Sequence, residues 1–219
     1  MKYIKKNKHN EPRSLKESRS TPGATYDDCN KEAIRLALLK EQGYICAYCM
    51  RRIDNTRQKG IPQTKIEHFI PQTKAIGLSM NYMNMIGVCK GNEDQPELKF
   101  TCDKKRGSKP LTIDPRKKIC EINIAYQPDG IIYSNNKKID QELNEILGLN
   151  NEILVKNRRN IVEATRNNLN KIYKNKRNQT WSKSDLTQAI NLWNAKANGK
   201  HREYCRVAIY YLEKKIARL

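Results

Sequence analysis

The chain has few hydrophobic residues and no long hydrophobic run. Hydrophobic residues make up 37% of its 219 positions, and the mean hydropathy is −0.87. A membrane-spanning helix needs roughly 20 consecutive apolar residues, and no run in this sequence approaches that length. The N-terminus also lacks the apolar segment of a secretory signal peptide. These absences predict a soluble, cytoplasmic protein that is not bound to a membrane and has a small core.

Acidic side chains are also scarce relative to basic ones. The sequence has 43 Lys and Arg against 23 Asp and Glu, which gives a formal net charge of +20. A positive surface of this strength favours a polyphosphate partner, and nucleic acid is the first candidate. An anionic membrane surface is the competing partner. Residues 1–25 are polar, basic and interrupted by Pro12 and Pro22, which is typical either of an arm that follows a phosphate backbone or a partner, or of a solvated tail.

Seven cysteines are present, and four of them have the spacing of a metal site. Cys46 and Cys49 form a CxxC pair, and Cys89 and Cys102 follow downstream. Four thiolates at about 2.3 Å from a zinc ion form a closed, structural site, which would add on the order of 10 kcal/mol to folding. A thioredoxin-like redox pair would require a βαβ context that is missing, and buried free thiols are the other alternative.

The remaining cysteines do not suggest a disulfide framework. An odd total is awkward for a fully paired secreted protein. Cys29, Cys120 and Cys205 are therefore predicted to be ordinary buried thiols.

Local patterns predict a ββα unit between the cysteines. A short strand is expected over Thr64–Phe69, with Glu67 and His68 at its end, and a loop that runs into a second strand over Met80–Cys89. A short helix is expected from Asp103 to the glycine at position 107. Before this unit, a helix is predicted from residue 26 or 27 to residue 42.

The second half of the chain reads as a hairpin followed by helices. Alternation over residues 119–126, a Pro-Asp-Gly turn and the apolar residues 131–133 predict the hairpin. Helical periodicity begins at Asp140, and further helices are expected over residues 183–197 and 203–219. The sequence thus predicts an α+β protein with a basic arm (1–25), a zinc-stapled domain (26–135) and a helical C-terminal domain (136–219).

Several short motifs occur together in this chain: Cys46-x-x-Cys49, Glu67-His68-x-x-Pro71, Asn84, Cys89 and Cys102-Asp103-Lys-Lys-Arg-Gly107. With these motifs the chain resembles the HNH (ββα-metal) endonucleases. Three further segments are Pro12-Arg-Ser-Leu, the block from Tyr44 to Ile53, and Ile146-Leu-Gly-Leu-Asn150. Through these it resembles, within that group, the PtuB-type proteins of Septu and retron-associated anti-phage defence systems.

The resemblance implies a role for each catalytic position. His68 corresponds to the general base that activates water, against the alternative of a hydrogen-bonded core histidine. Glu67 and Asp103 correspond to ligands of a catalytic Mg²⁺ or Mn²⁺. Many relatives have His or Asn at the position of Asp103, and a carboxylate that interacts with the helix dipole is the alternative there. Asn84 corresponds to the asparagine that braces the loop beneath the histidine, with Asn81 and Asn92 as alternatives.

Basic residues form two candidate nucleic-acid contacts. Lys104, Lys105 and Arg106 could bind the phosphate beside the scissile bond, or form a solvated turn. Arg158 and Arg159 belong to a basic stretch over residues 156–177, which could follow a nucleic-acid backbone, form a solvated face or bind a partner. The resemblance implies a PtuA-type ATPase as that partner, and in retron-linked systems also a reverse transcriptase with its DNA.

The predicted activity is divalent-metal-dependent hydrolysis of phosphodiester bonds in DNA, or in RNA such as tRNA, by the effector of an anti-phage defence system. One alternative is a non-catalytic, zinc-stabilised module that binds nucleic acid. A structural adaptor is the other.

Overall fold

The structure, a computed structural model, describes residues 1–173 and 181–219. This part of the chain is a mixed α+β fold that contains eight α-helices and three small antiparallel hairpins. The helices are α1 (Arg13–Ser20), α2 (Lys31–Gln42), α3 (Cys102–Arg106), α4 (Cys120–Asn123), α5 (Lys137–Gln141), α6 (Glu152–Tyr173), α7 (Lys183–Asn194) and α8 (Cys205–Ile216). The strands are β1 (Arg57–Gln58), β2 (Ile61–Pro62), β3 (Thr64–His68), β4 (Met85–Cys89), β5 (Ala125–Tyr126) and β6 (Ile132–Tyr133). A π-helical turn, Glu142–Ile146, follows α5 directly.

The longest hairpin lies at the centre of the first half of the chain. Strands β3 and β4 pair antiparallel, with Thr64 opposite Cys89 and His68 opposite Met85. All five residues of β4 are buried. Helix α2 packs on this hairpin through Gln42, whose amide donates to the Gly87 carbonyl (2.9 Å) and accepts from the Gly87 N–H (2.6 Å). Helix α2 therefore fixes the position of the β3–β4 hairpin through hydrogen bonds to β4.

Helix α2 begins later than the sequence predicted. Residues 26–28 form a separate 3₁₀ turn, and the α-helix starts at Lys31 because the Asn30 side chain accepts a hydrogen bond from the Ala33 N–H. The helix ends at Gln42, and Gly43 has the left-handed backbone expected of a C-terminal cap (φ 63°). A Cβ at Gly43 would lie 2.6 Å from Cδ2 of His201. Glycine is thus required both for the backbone turn and for the close approach of the C-terminal half.

Residues 1–25 form part of the folded body, so the prediction of a free arm or solvated tail is wrong. Met1 and Ile4 are buried in the main core, and the Ile4 N–H donates to the Pro115 carbonyl (2.8 Å). Helix α1 places Leu15, which is fully buried, in a second core cluster. A few well-spaced apolar side chains are sufficient to anchor a segment whose overall composition is polar.

The second half of the chain contains the predicted hairpin, but its first strand is shorter than expected. Residues 120–123 form α4, and only Ala125 and Tyr126 pair with β6. Helix α6 passes so close to the hairpin turn that a Cβ at Gly130 would lie 2.2 Å from the Val155 carbonyl oxygen. The capping box predicted at Ser182 and Asp185 is present at the start of α7.

A single main core links the beginning, middle and end of the chain. It includes Met1, Ile86, Leu154 and Val207, which come from each of the three predicted regions. In the basic stretch over residues 156–177, the lysines and arginine at positions 174, 176 and 177 lie outside the described residues. Among the helices that are described, none has the length and hydropathy needed to cross a membrane.

Candidate functional site

The four predicted cysteines form one buried cluster. The sulfur atoms of Cys46, Cys49, Cys89 and Cys102 all lie within 4.8 Å of one another. Cys46 and Cys102 are 3.9 Å apart, and Cys49 and Cys89 are 3.7 Å apart. A tetrahedral zinc ion with Zn–S bonds of about 2.3 Å requires sulfur–sulfur separations of about 3.8 Å. The cluster is therefore consistent with a structural zinc site.

The surroundings of the sulfurs fit a negatively charged zinc–thiolate centre. The Arg51 guanidinium donates a hydrogen bond to the Cys89 sulfur (3.4 Å), and the Cys89 N–H donates to the Cys46 sulfur (3.4 Å). Four thiolates around Zn²⁺ carry a net charge of −2, so the partly buried Arg51 cation and an N–H donor stabilise them. The same knuckle contains Tyr48, which connects the cysteines to the candidate catalytic carboxylate.

Glu67 lies on β3 and is 8% exposed. Its carboxylate forms an ion pair with Arg106 and accepts a hydrogen bond from the Tyr48 hydroxyl (3.2 Å). The Asp103 carboxylate, at the start of α3, interacts directly with that of Glu67. Burial, and next the nearby charge of Asp103, raise the pKa of Glu67 to about 8, whereas Arg106 opposes this change. The structure thus brings the two predicted metal ligands together.

Arg106 does not have the exposed position expected of a phosphate-binding residue. Its side chain is 1% exposed, and it donates to the Tyr48 hydroxyl (2.9 Å) and to the Phe69 carbonyl (2.6 Å) in addition to pairing with Glu67. The prediction that Arg106 binds phosphate is therefore corrected: its charge neutralises Glu67 inside the protein. Lys104 is exposed and Lys105 is partly exposed, so these two stay available for an anion.

His68 follows Glu67 in the sequence and is also buried, but its side chain contacts different residues. Its Nε2 lies 2.8 Å from the Ser79 carbonyl, and its Nδ1 lies 3.2 Å from the Gln72 amide nitrogen. The Tyr26 ring packs edge-on against the imidazole at a centroid distance of 4.6 Å. Since a carbonyl can only accept, it fixes the proton on Nε2 and leaves the lone pair on Nδ1. Burial lowers the pKa of His68, so the imidazole is neutral near pH 7.

Asn84 precedes β4 and bonds to the segment that follows His68. Its side-chain oxygen accepts from the Ile70 N–H and its amide nitrogen donates to the Ile70 carbonyl, both at 2.9 Å. Neither alternative asparagine makes this contact: Asn81 accepts from the Met83 N–H, and Asn92 bonds to Arg51 and to the Lys99 carbonyl. Of the three, Asn84 alone has the geometry implied for the bracing residue.

Three residues near the site were not identified from the sequence. Tyr48 and Gln72 contact Glu67 and His68 as described above, and Arg116 packs over the Phe69 ring (4.3 Å) and bonds to Asn84 (3.4 Å). Arg116 is held by Asp114 two positions before it (2.9 Å). The CxxC pair could have singled out Tyr48, since it lies inside that motif. No local signal marks the other two residues, because only the fold brings them to the site.

The two arginines of the second predicted nucleic-acid contact, Arg158 and Arg159, differ in burial. Arg158 is 1% exposed and donates to the Gly130 carbonyl (2.6 Å) and to the Asn150 side chain (3.0 Å). It joins α6 to the β5–β6 turn, so the prediction that it binds nucleic acid is corrected. Arg159 is exposed on the same helix.

No protein-family model matches the chain, and no curated protein matches its sequence.

Proposed function

We propose that this protein is an HNH-type endonuclease with a ββα-metal core held by structural zinc. The observation that carries the proposal is the grouping at one end of the β3–β4 hairpin: a neutral, oriented imidazole, two adjacent carboxylates and an asparagine that braces the loop. The HNH resemblance assigns one catalytic role to each of these groups. The four-cysteine cluster holds the start of α3, which carries Asp103, against the strands.

In this proposal His68 is the general base. Its Nε2–H is held by the Ser79 carbonyl, so Nδ1 accepts the proton of the attacking water. Gln72, which lies beside Nδ1, would position that water once substrate is bound. General-base assistance of this kind contributes roughly 10²- to 10⁴-fold to the rate.

Glu67 and Asp103 would hold the catalytic Mg²⁺ or Mn²⁺. Two interacting carboxylates offer the oxygen donors that a hard divalent cation prefers, and the ion would compete with Arg106 for Glu67. Such an ion supplies stabilisation of the charge that develops on the leaving 3′ oxygen. In an in-line displacement the attacking water and the leaving oxygen lie on opposite sides of phosphorus, which agrees with the separate surroundings of His68 and of the two carboxylates.

Cleavage assays with matched variants test this proposal. Plasmid DNA and tRNA are incubated with the full chain, with and without Mg²⁺ or Mn²⁺, and the products are separated on gels. We expect metal-dependent cleavage that is abolished by His68→Ala and retained by His9→Ala, which changes an exposed histidine. Wild-type cleavage by a folded His68→Ala protein would contradict the assignment of the base.

A non-catalytic, zinc-stabilised module that binds nucleic acid is the second candidate. One observation favours it: Glu67 and His68 are each only 8% exposed, and Glu67 is already paired with Arg106. The two candidates differ in the same assay. A protein that retards DNA or RNA on gels but cleaves neither with any divalent ion, alone or with its genomic neighbour, would support the binding module.

We further propose that the nuclease acts in anti-phage defence with a PtuA-type ATPase, and in retron-linked systems with a reverse transcriptase and its DNA. The motif resemblance is the basis of this proposal, and the exposed basic side chains of α6, including Arg159 and Arg166, provide a surface for the contact. Co-purification of the full chain with its genomic neighbour tests it. Loss of the complex in Arg159→Glu/Arg166→Glu, but not in Lys137→Glu/Lys138→Glu, would place the contact on α6, and equal binding by both would exclude this surface.

A further inference from the structure

A groove between α8 and the β5–β6 hairpin lies apart from the candidate catalytic site. Its volume is about 280 Å³, and it has no lining residue in common with the catalytic or zinc positions. Four of its lining residues are tyrosines: Tyr126, Tyr133, Tyr210 and Tyr211. These represent four of the eleven tyrosines in the sequence. A groove lined by several phenol rings favours a ligand that packs against aromatic surfaces.

The tyrosines differ in burial in a way that forms a binding surface. Tyr126 is 6% exposed and meets Tyr210 edge-on, with the ring centroids 5.6 Å apart. Tyr210, Tyr211 and Tyr133 are only partly buried. The buried Tyr126 ring therefore fixes the orientation of the Tyr210 ring, which still has accessible surface. A planar group can stack on an aromatic ring that is held in this way.

Positive charge surrounds the same groove. Lys214, Lys215 and Arg218 line it, and no Asp or Glu is among its lining residues in the described part of the chain. The Lys214 ammonium lies 5.5 Å from the Tyr210 ring centre, and that of Lys215 lies 5.6 Å from the Tyr211 ring centre. Glu213, the one acidic residue of α8, pairs with Arg206 instead (2.8 Å). Since no acidic side chain lines the groove within the residues that the structure describes, its positive charge is available to a ligand.

We propose that this groove binds an unpaired strand of nucleic acid, with a base against the tyrosines and its phosphates on Lys214, Lys215 and Arg218. Aromatic rings next to cations are the combination that binds single strands without sequence preference. Size favours a single strand over a duplex: a volume of about 280 Å³ is near the lower end of small-molecule pockets, roughly 300–1,000 Å³. One splayed-out base fits such a space, whereas the bases of a duplex are paired and stacked inside the helix.

This proposal extends the proposed nuclease function without depending on cleavage. A strand bound in the groove would be held by residues that take no part in the chemistry. Binding is therefore measured on His68→Ala protein without added divalent ions. In that setting, a failure of the groove proposal and a failure of the nuclease proposal give different results.

The experiment measures fluorescence anisotropy of short labelled DNA and RNA oligonucleotides, single-stranded or annealed to their complements. We expect the single strands to bind more tightly than the duplexes. Tyr210→Ala should weaken single-strand binding about 5- to 100-fold, as expected for the loss of one base–aromatic stack, whereas Tyr210→Phe keeps the ring and should bind normally. Zinc content and circular dichroism show whether each variant is folded.

Charge reversal provides a second test that leaves the core untouched. Lys214→Glu/Arg218→Glu should weaken single-strand binding and reduce its salt dependence, by about 0.7 in the log–log slope for each phosphate that the protein no longer neutralises. Lys137→Glu/Lys138→Glu changes the net charge equally at exposed residues outside the groove and should bind almost as before. The proposal is overturned if duplexes bind as tightly as single strands, if the two charge variants behave alike, or if polyglutamate binds the groove more tightly than the oligonucleotides do.

Discussion

Arg106 is an arginine with almost no exposed surface, and its charge is balanced inside the protein by Glu67. A buried ion pair costs desolvation energy when it forms, but the removal of one partner costs more, since the other charge is then left unpaired. The Tyr48 hydroxyl and the carbonyls of Phe69 and Lys109 accept further hydrogen bonds from the guanidinium. At the scale of single residues, this network fixes the position of the carboxylate that is proposed to hold the catalytic ion.

Above the pKa of Glu67, about 8, Arg106→Gln is expected to destabilise the protein by about 3 kcal/mol, since the ionised carboxylate then lies buried without its counter-charge. Lys104→Gln, at the exposed position two residues earlier, should change the free energy of unfolding by less than about 0.5 kcal/mol. Urea unfolding followed by circular dichroism gives both values. Similar small effects for the two variants would show that Arg106 is not structural and would restore it as a candidate phosphate ligand.

Asn84→Ala is expected to lower the free energy of unfolding by about 1–3 kcal/mol, because it leaves the N–H and carbonyl of Ile70 without their partner. Cleavage should fall as well, since the segment after His68 loses its support. Asn81→Ala removes a cap from a 3₁₀ turn and serves as the control. Unfolding curves and cleavage rates of the two variants test this expectation. An equal loss of activity in both would refute a specific bracing role for Asn84.

At the scale of elements, the four-cysteine cluster joins three parts of the chain that are separate in sequence. The knuckle after α2 provides Cys46 and Cys49, the end of β4 provides Cys89, and the start of α3 provides Cys102. Helix α3 has only five residues, and an isolated helix of that length is unstable in water. The cluster therefore determines where Asp103 is placed.

Cys46→Ser is expected to abolish stoichiometric zinc binding and to unfold the hairpin and α3, because structural zinc contributes on the order of 10 kcal/mol. Cys205→Ser, at another fully buried thiol outside the cluster, should cost less stability and keep its zinc. Elemental analysis and thermal unfolding of both proteins test this expectation. Wild-type protein purified without chelators that contains no zinc would disprove the metal assignment.

At the scale of the whole molecule, the C-terminal helices complete the core that the N-terminal half begins. Leu143, Leu149, Leu154 and Val207 belong to the same cluster as Met1 and Ile86. Truncation after Asn136 would expose the inner face of this cluster. We expect the truncated chain to aggregate, so partner binding has to be tested with the full chain. A truncated protein that is monomeric and unfolds cooperatively would show instead that residues 1–136 form an independent domain.

His201 is expected to make the stability of the whole molecule sensitive to pH. It contacts Gly43 across the interface between the two halves of the chain, and burial, followed by the charges of Lys2, Lys196 and Arg52, lowers its pKa to about 4, with Glu121 opposing. Between this value and the ordinary 6.5, the unfolded chain binds more protons than the folded one. The neutral histidine therefore contributes stability that is fully present above pH 6.5 and is lost as the pH falls towards 4.

His201→Gln should remove this part of the acid destabilisation, and His9→Gln, at an exposed position, should not. Urea unfolding above pH 6.5 and near pH 4 measures the difference between each variant and the wild type. Identical pH dependence in all three proteins would show that His201 has no part in it.

Features that depend on the spacing of residues along the chain could be predicted before the fold was known. The CxxC pair with two later cysteines predicted the cluster at Cys46, Cys49, Cys89 and Cys102, and the cap residues predicted where α2 ends and α7 begins. Strand β3 and helix α3 also follow from local patterns, because neighbouring residues and turn chemistry largely determine such short elements.

The identity of the buried charges, and of the segments that join the core, depends on long-range packing. Arg106 and Arg158 look like their exposed neighbours in sequence, yet each is buried because partners distant in the chain, Glu67 and the Gly130 carbonyl, satisfy its donors. The polar N-terminal segment joins the core through Met1 and Ile4 for a similar reason. Burial is a property of the whole packed chain, and composition within a local window does not contain that information.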